Sequence, residues 1–167
     1  MDKSLNYMLS NLSNHELLAI YLCPEEPQVF LVGNVLSQQA ESFICLKTIS
    51  QEGNCDGFMI CNPAYIYRYE VESSYLHELA RKAIQSENAF PPVHGWNDFL
   101  AFAMQQHATV QLIGRNGKRT ARGILCSYSD RSITLQRVLK SGADGKRCRF
   151  SLSGLAGIAC DITGGIL

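Results

Sequence analysis

The sequence predicts a mainly β protein with short helices, an α+β chain built as two tandem copies of one unit. Three observations carry this. First, the stretch FLVGNVLSQQAESFICLKTI, residues 30–49, returns in altered form as RTARGILCSYSDRSITLQRVL, residues 119–139. Gly33 falls on Gly123, Ser42 on Ser132, Phe43 on Ile133, Cys45 on Leu135 and Lys47 on Arg137. Second, each half reads as one short helix followed by five short strands. Third, the offsets agree: 92 residues from His15 to His107, 90 from Gly33 to Gly123, 91 from Tyr69 to Cys160. The differences fall in turns, where length varies at little cost.

The elements follow in order. Leu5, Met8, Leu9 and Leu12 share one face of a helix over residues 3–13. LLAIYLC, 17–23, is a strand that PEEPQ ends, because two prolines cannot continue a ladder. VFLVGNVLS resumes from Val29, QQAE turns, and SFICLKTIS alternates, with Phe43, Cys45 and the stem of Lys47 on one side. After the turn QEGNCDG, FMICNPAYIYRYEV gives two strands divided at Asn62-Pro63, and Tyr65, Tyr67 and Tyr69 alternate on the second. A helix starts at Ser73 or Ser74, with Tyr75, Leu76, Leu79, Ala83 and Ile84 as its apolar face. FPPVHG, 90–95, ends it and serves as a linker. NDFLAFAMQQ is then a helix capped by Asn97 or Asp98. TVQLIG and RTARGILCSY are strands joined at RNGK, where Asn-Gly favours a two-residue hairpin turn. SITLQRVL is the third strand, KSGADGKR a glycine-rich turn, and CRFSLSGLAGIACDI two more strands split at Ser153-Gly154. The expected organisation is a first repeat over 1–72, a connecting helix and Pro-rich linker over 73–95, and a second repeat over 96–167.

Composition narrows the classes. With 167 residues, 46% hydrophobic and 18% charged, the chain is a folded globular one rather than a disordered one. No apolar run reaches the ~20 residues of a membrane span, and the first residues lack the apolar core of a signal peptide. A cytoplasmic protein without a membrane partner is the expectation. Seven cysteines, an odd number at irregular spacing, fit no disulfide framework. Cys23, Cys45, Cys126 and Cys160 lie in apolar runs, and Cys55 and Cys61 are too far apart for the usual zinc-ligand pair. No metal and no cofactor is expected. Net charge is zero but unevenly spread: five Lys/Arg against twelve Asp/Glu in residues 1–100, ten against three in 101–167. Such asymmetry points to an anionic partner or to self-association.

A short helix followed by five bent antiparallel strands resembles the Sm-like fold, the family of Sm, LSm and Hfq proteins. The second half offers Gly123, Leu125, Tyr128, Asp130 and Thr134 against the family's first motif, with one extra residue between Tyr128 and Asp130. The first half keeps Gly33 and Val35 but has Ala40 and Ile44 at the polar positions. A glycine suits a strand that must bend around a small barrel. The Arg-Gly pair of the second motif is missing from both halves, where Leu152-Ser153-Gly154 and Cys61-Asn62-Pro63 stand instead. The resemblance implies two strongly bent, SH3-like five-stranded barrels in tandem, RNA as the partner, and a homo-oligomer or ring closed by pairing of strand edges.

The chemistry is concentrated in the basic second half. Lys118, Arg119 and Arg122, with Arg115, surround the Asn-Gly hairpin; Arg131 and Arg137 flank the third strand; Lys146, Arg147 and Arg149 follow the next turn, with Lys140 before it. Such residues supply phosphate contacts, and Tyr128 is placed to stack a base. The expected nucleic-acid-binding set is therefore Lys118, Arg119, Arg122, Tyr128, Asp130, Arg131, Thr134, Arg137, Lys146, Arg147 and Arg149. The competing reading is a basic face docking on another copy's acidic half. His15 and His107 mark equivalent helix-to-strand junctions, a structural pattern, and no nucleophile–base motif is present. The expectation is a non-catalytic RNA-binding protein; the alternative is an assembly module without an RNA pocket.

Overall fold

A computed structural model describes residues 3–13, 15–83, 90, 92–138 and 144–161 of the chain. The described residues form three helices, α1 (Lys3–Asn11), α2 (Ser74–Lys82) and α3 (Trp96–Gln105). Ten strands accompany them: β1 (Leu18–Tyr21), β2 (Leu31–Gln39), β3 (Phe43–Ile49), β4 (Cys55–Cys61), β5 (Arg68–Glu70), β6 (Thr109–Gly114), β7 (Arg119–Tyr128), β8 (Ser132–Val138), β9 (Asp144–Ser151) and β10 (Leu155–Asp161). Short 3-10 turns at Pro63–Tyr65 and Leu152–Gly154 separate the last two strands of each half.

All ten strands lie in one antiparallel sheet, in the order β5-β1-β2-β3-β4-β10-β6-β7-β8-β9. The order within each half is the same: fifth, first, second, third, fourth. The two closed five-stranded barrels implied by the resemblance are not formed. β4 pairs with β10 of the other half, Ile60 opposite Ile158 and Phe58 opposite Cys160, instead of closing on β5. The reason lies in β4 itself. Its residues Gly57 to Cys61 are buried whichever face they point to, so the strand needs cover on both sides. The other half covers one face, where Phe58 and Ile60 pack, and α1 covers the other, where Met59 and Cys61 pack.

Strand registers confirm that the halves match residue by residue. Gly33 stands opposite Thr48 and Gly123 opposite Arg137. A Cβ on either glycine would lie 2.3 Å from a carbonyl oxygen, of Lys47 and of Gln136 respectively. Each second strand then bulges two residues on, between Val35 and Ser37 and between Leu125 and Ser127. These registers refine the expected alignment. Ile44 matches Ile133 and Leu46 matches Leu135, one residue from the pairing of Phe43 with Ile133. Tyr69, opposite Ile20, matches Ile158, opposite Leu112, rather than Cys160. Apolar residues recur along these strands at a spacing that hides a slip of one residue in the third strand and of two in the fifth.

Three apolar clusters hold the sheet. One face of the second half packs under α3, with Phe99, Leu100 and Ala103 against Val110, Leu112, Ile133, Leu135 and Ile158; Phe43, Cys45, Phe58 and Ile60 of the first half join it. The opposite face of β3 and β4, Ile44, Leu46, Met59 and Cys61, packs with Leu5 and Leu9 of α1. Thus β3 is buried on both faces, where strict alternation suggested one. The third cluster sets Leu76 and Leu79 of α2 on Leu17, Ala19, Tyr21, Val32 and Ile49.

Several local expectations change. Ser73 caps α2, its Oγ accepting from the Leu76 N–H, and Tyr75 lies off the buried face in a T-shaped contact with the Phe30 ring. Ile84 falls outside the described residues. Gly95, not Asn97 or Asp98, occupies the N-cap of α3. Of the three alternating tyrosines only Tyr69 is in a strand; Tyr65 ends the 3-10 turn. The RNGK hairpin has four loop residues, closed by the Gly114 N–H on the Lys118 carbonyl, and only Gly117 has positive φ, at 78°. Glycine is required there on two counts: φ is positive, and the turn packs on the first half so closely that a Gly117 Cβ would meet the Leu22 carbonyl oxygen at 2.1 Å.

Candidate nucleic-acid site

A cleft of about 670 Å3 opens where the two 3-10 turns meet the start of α3. Asn62 and Tyr65 come from the first turn, Leu152 and Ser153 from the second, Trp96, Asn97 and Asp98 from α3, Arg115 from the β6–β7 loop and Asp130 from the β7–β8 loop. Local hydrogen bonds set these groups. Asn62 Oδ1 accepts from the Ala64 N–H at 2.9 Å, fixing the turn that presents Tyr65. Asn97 Nδ2 donates to Asp130 Oδ1 at 2.8 Å, and Asp98 Oδ2 accepts from the His94 N–H at 2.8 Å. The Trp96 indole N–H reaches the Ser42 carbonyl at 3.4 Å. Arg115 Nε donates to the Ser153 carbonyl at 2.7 Å, which lays its guanidinium 5.8 Å from the centre of the Tyr65 ring. A cation beside the Tyr65 ring, with Trp96 lining the same cleft and amide and carboxylate groups at the rim, can hold a flat polar ring system by stacking and edge hydrogen bonds.

The predicted set is divided among several places. Asp130 alone lies in the cleft, and Arg131 follows it, its carbonyl accepting from the Leu152 N–H. Lys118, Arg119 and Arg122 line a second groove, of about 650 Å3, between the β6–β7 hairpin and the first half. There Lys118 pairs with Glu25, and Arg122 with Asp161 at 2.8 Å. The hydrogen bond to Lys118 lowers the Glu25 carboxyl pKa and raises that of the Lys118 ammonium. Thr134, Arg147 and Arg149 lie on neighbouring strands: Arg149 stands opposite Thr134 and Arg147 opposite Gln136, whose Oε1 accepts from Arg147 Nε at 3.3 Å. Arg137 is exposed near the end of β8, and Lys146 is exposed in β9. Tyr128 is partly buried against the second-half core rather than standing free. Lys140 falls outside the described residues.

The cleft's aromatic pair was missed in the sequence. Tyr65 read as one of three strand tyrosines, and Trp96, between the linker and the helix, had no reading of its own. Asn62-Pro63 and Leu152-Ser153 occupy the same turn in the two halves, but that equivalence does not say that the two turns lie side by side. The thiols play no visible part. Burial pushes Cys45, Cys61 and Cys160 each up to about 12, which keeps them protonated and unreactive.

Comparison with family models, curated proteins and solved structures finds no match to this chain.

Proposed function

We propose that the chain is a non-catalytic protein of two tandem Sm-like repeats that binds single-stranded RNA. One base enters the cleft against Tyr65 and Trp96, and the flanking phosphates run past Arg115 and Arg131 toward Arg149. The observation that carries this reading is Arg115. The second-half turn lacks an arginine of its own, yet the Ser153 carbonyl holds the Arg115 guanidinium there, beside Tyr65. The carboxylates of Asp98 and Asp130 suit the amino edge of a base, whereas a phosphate there would be repelled.

The test is fluorescence anisotropy of labelled single-stranded RNA across a salt series. Saturable binding that weakens as salt rises is expected, because cation–phosphate contacts release counterions. Tyr65→Ala should weaken binding by the ~1–3 kcal/mol of one stacked base while leaving the salt slope unchanged. Absence of binding at low salt by folded protein would overturn the reading. It would favour the second one, an assembly module without RNA; the pairing of Lys118 and Arg122 within the chain already takes up two of the expected phosphate contacts.

A further inference from the structure

The groove between the β6–β7 hairpin and the first half has a hollow in its floor. Thr48 stands opposite Gly33 in one ladder and Gly57 in the other, so no side chain flanks it on either neighbouring strand. A larger residue does not fit at either glycine. A Cβ would lie 2.3 Å from the Lys47 carbonyl oxygen at Gly33, and 2.1 Å from the Cys160 carbonyl oxygen at Gly57. The hollow is thus set by the backbone. Its walls are apolar: Ile20 and Leu22 from the first half and Ile113 from the second, all buried.

The groove has a polar group at each end. At the inner end is Thr48, the only polar residue that is buried among the described residues, at 8% exposed. Its hydroxyl has no hydrogen-bond partner among them, and a buried hydroxyl is costly to leave without one. Asp56, next to Gly57, lines the same groove and is in no ion pair among the described residues. Asp161 adjoins this end, since a Gly57 Cβ would lie 3.3 Å from the Asp161 Cα, but Arg122 already holds its carboxylate. At the outer end Glu25 holds Lys118, whereas Arg119 is in no ion pair among the described residues. Arg119 lies three residues along β7 from Arg122, about 10 Å at the rise of a strand.

We propose that this groove binds a small carboxylic acid with an apolar body and a hydroxyl group at its far end. The carboxylate pairs with Arg119, and the body lies on Ile20, Leu22 and Ile113. The hydroxyl donates to Asp56 and accepts from Thr48. Charge sets the class. Three carboxylates, of Glu26, Asp56 and Asp161, line the groove with three cations, Lys118, Arg119 and Arg122. A single negative charge meets the cation left without a partner. A phosphodiester strand, charged at every unit, would meet the carboxylates as well. The groove's volume, about 650 Å3, is that of a small-molecule pocket. Both halves supply its walls, so the ligand clasps the hairpin to the first half.

The test is isothermal titration calorimetry of RNA-free protein with ω-hydroxyoctanoate and with hydroxyphenylpropionate, which carry the same two ends on a flexible and a flat body. At least one should bind saturably, one per chain, and raise the melting temperature, as a ligand of the folded state does. Octanoate, which lacks the hydroxyl, and octanediol, which lacks the carboxylate, should bind more weakly than the hydroxy acid. Arg119→Ala should weaken the hydroxy acid about tenfold or more, the worth of a hydrogen bond to a charged group, and leave octanediol unchanged. Thr48→Val with Asp56→Asn should remove the preference for the hydroxy acid over octanoate. Each variant should keep the circular dichroism of the wild type. Failure of both acids to bind folded wild-type protein would overturn the proposal, as would binding that neither set of substitutions changes. The ranking on wild-type protein needs no variant: octanediol or octanoate binding as tightly as the hydroxy acid would overturn it too. Arg119, Thr48 and Asp56 lie outside the cleft of Tyr65 and Trp96, so none of these readings depends on whether RNA binds there.

Discussion

The outer faces of the two halves start from the same backbone and reach opposite solutions. In the first, Ala19, Val32 and Ile49 lie under Leu76 and Leu79 of α2. In the second, the matching positions are Gln111, Arg122 and Val138, with Ile124 beside them 39% exposed, and no helix covers them among the described residues. Ala19 faces Val32 as Gln111 faces Arg122, so the correspondence is one of register and not of composition. An apolar sheet face must be covered, and a polar one can stay in water. The chain after the fifth strand follows suit: the first half continues into an amphipathic helix that begins on a Ser73 cap. The largest effect expected is therefore on α2. Leu79→Ala should destabilise the protein by ~2–5 kcal/mol, read as a shift in the urea midpoint, because it leaves a cavity over β1 and β2. If Leu79→Ala left the midpoint unchanged, α2 would not be a cover that the first half needs.

The sequence made the strand count, the helix positions and the duplication readable, because glycine placement and apolar spacing are local properties. Gly33 and Gly123 were found by the same reasoning that explains them. What could not be read was how the halves join. The signal in β4 was present as FMIC, an unbroken apolar run, but such a run says only that both faces are covered, not by what. The cleft was illegible for a related reason. Its walls come from five separate segments, and only Asp130 among them carried a motif. Basic residues were easy to see in the sequence, yet whether each was free could not be. Glu25 and Asp161, which occupy Lys118 and Arg122, lie 93 and 39 positions away.

The two glycines sharpen the comparison at its point of closest likeness. Each has an extended neighbour strand across the ladder, and each would bring a Cβ to 2.3 Å from a carbonyl oxygen. Gly33→Ala and Gly123→Ala should each destabilise by ~1–3 kcal/mol, as overpacked sites do. The two costs should be alike, although one half has a helix on its outer face and the other does not. A cost confined to Gly33→Ala would mean that the second half relaxes around the bend, and the likeness of the halves would then hold for register but not for stiffness.

The smallest effect tests the bare face itself. Arg122 stands where the first half has Val32, and its guanidinium meets Asp161 with both side chains substantially exposed. An exposed pair of this kind contributes ~0.2–1 kcal/mol, and salt screens it. Arg122→Ala should therefore cost at most about 1 kcal/mol in dilute buffer and less as salt is added. Arg122→Val, which restores the residue of the first half, should be no better than alanine in stability, because no helix arrives to bury the new side chain. It should instead raise the tendency to aggregate, measured by light scattering, since Ile124 and Val138 already leave apolar surface nearby. A clear gain in stability for Arg122→Val would show that something does cover this face in solution, and the contrast between the halves would disappear.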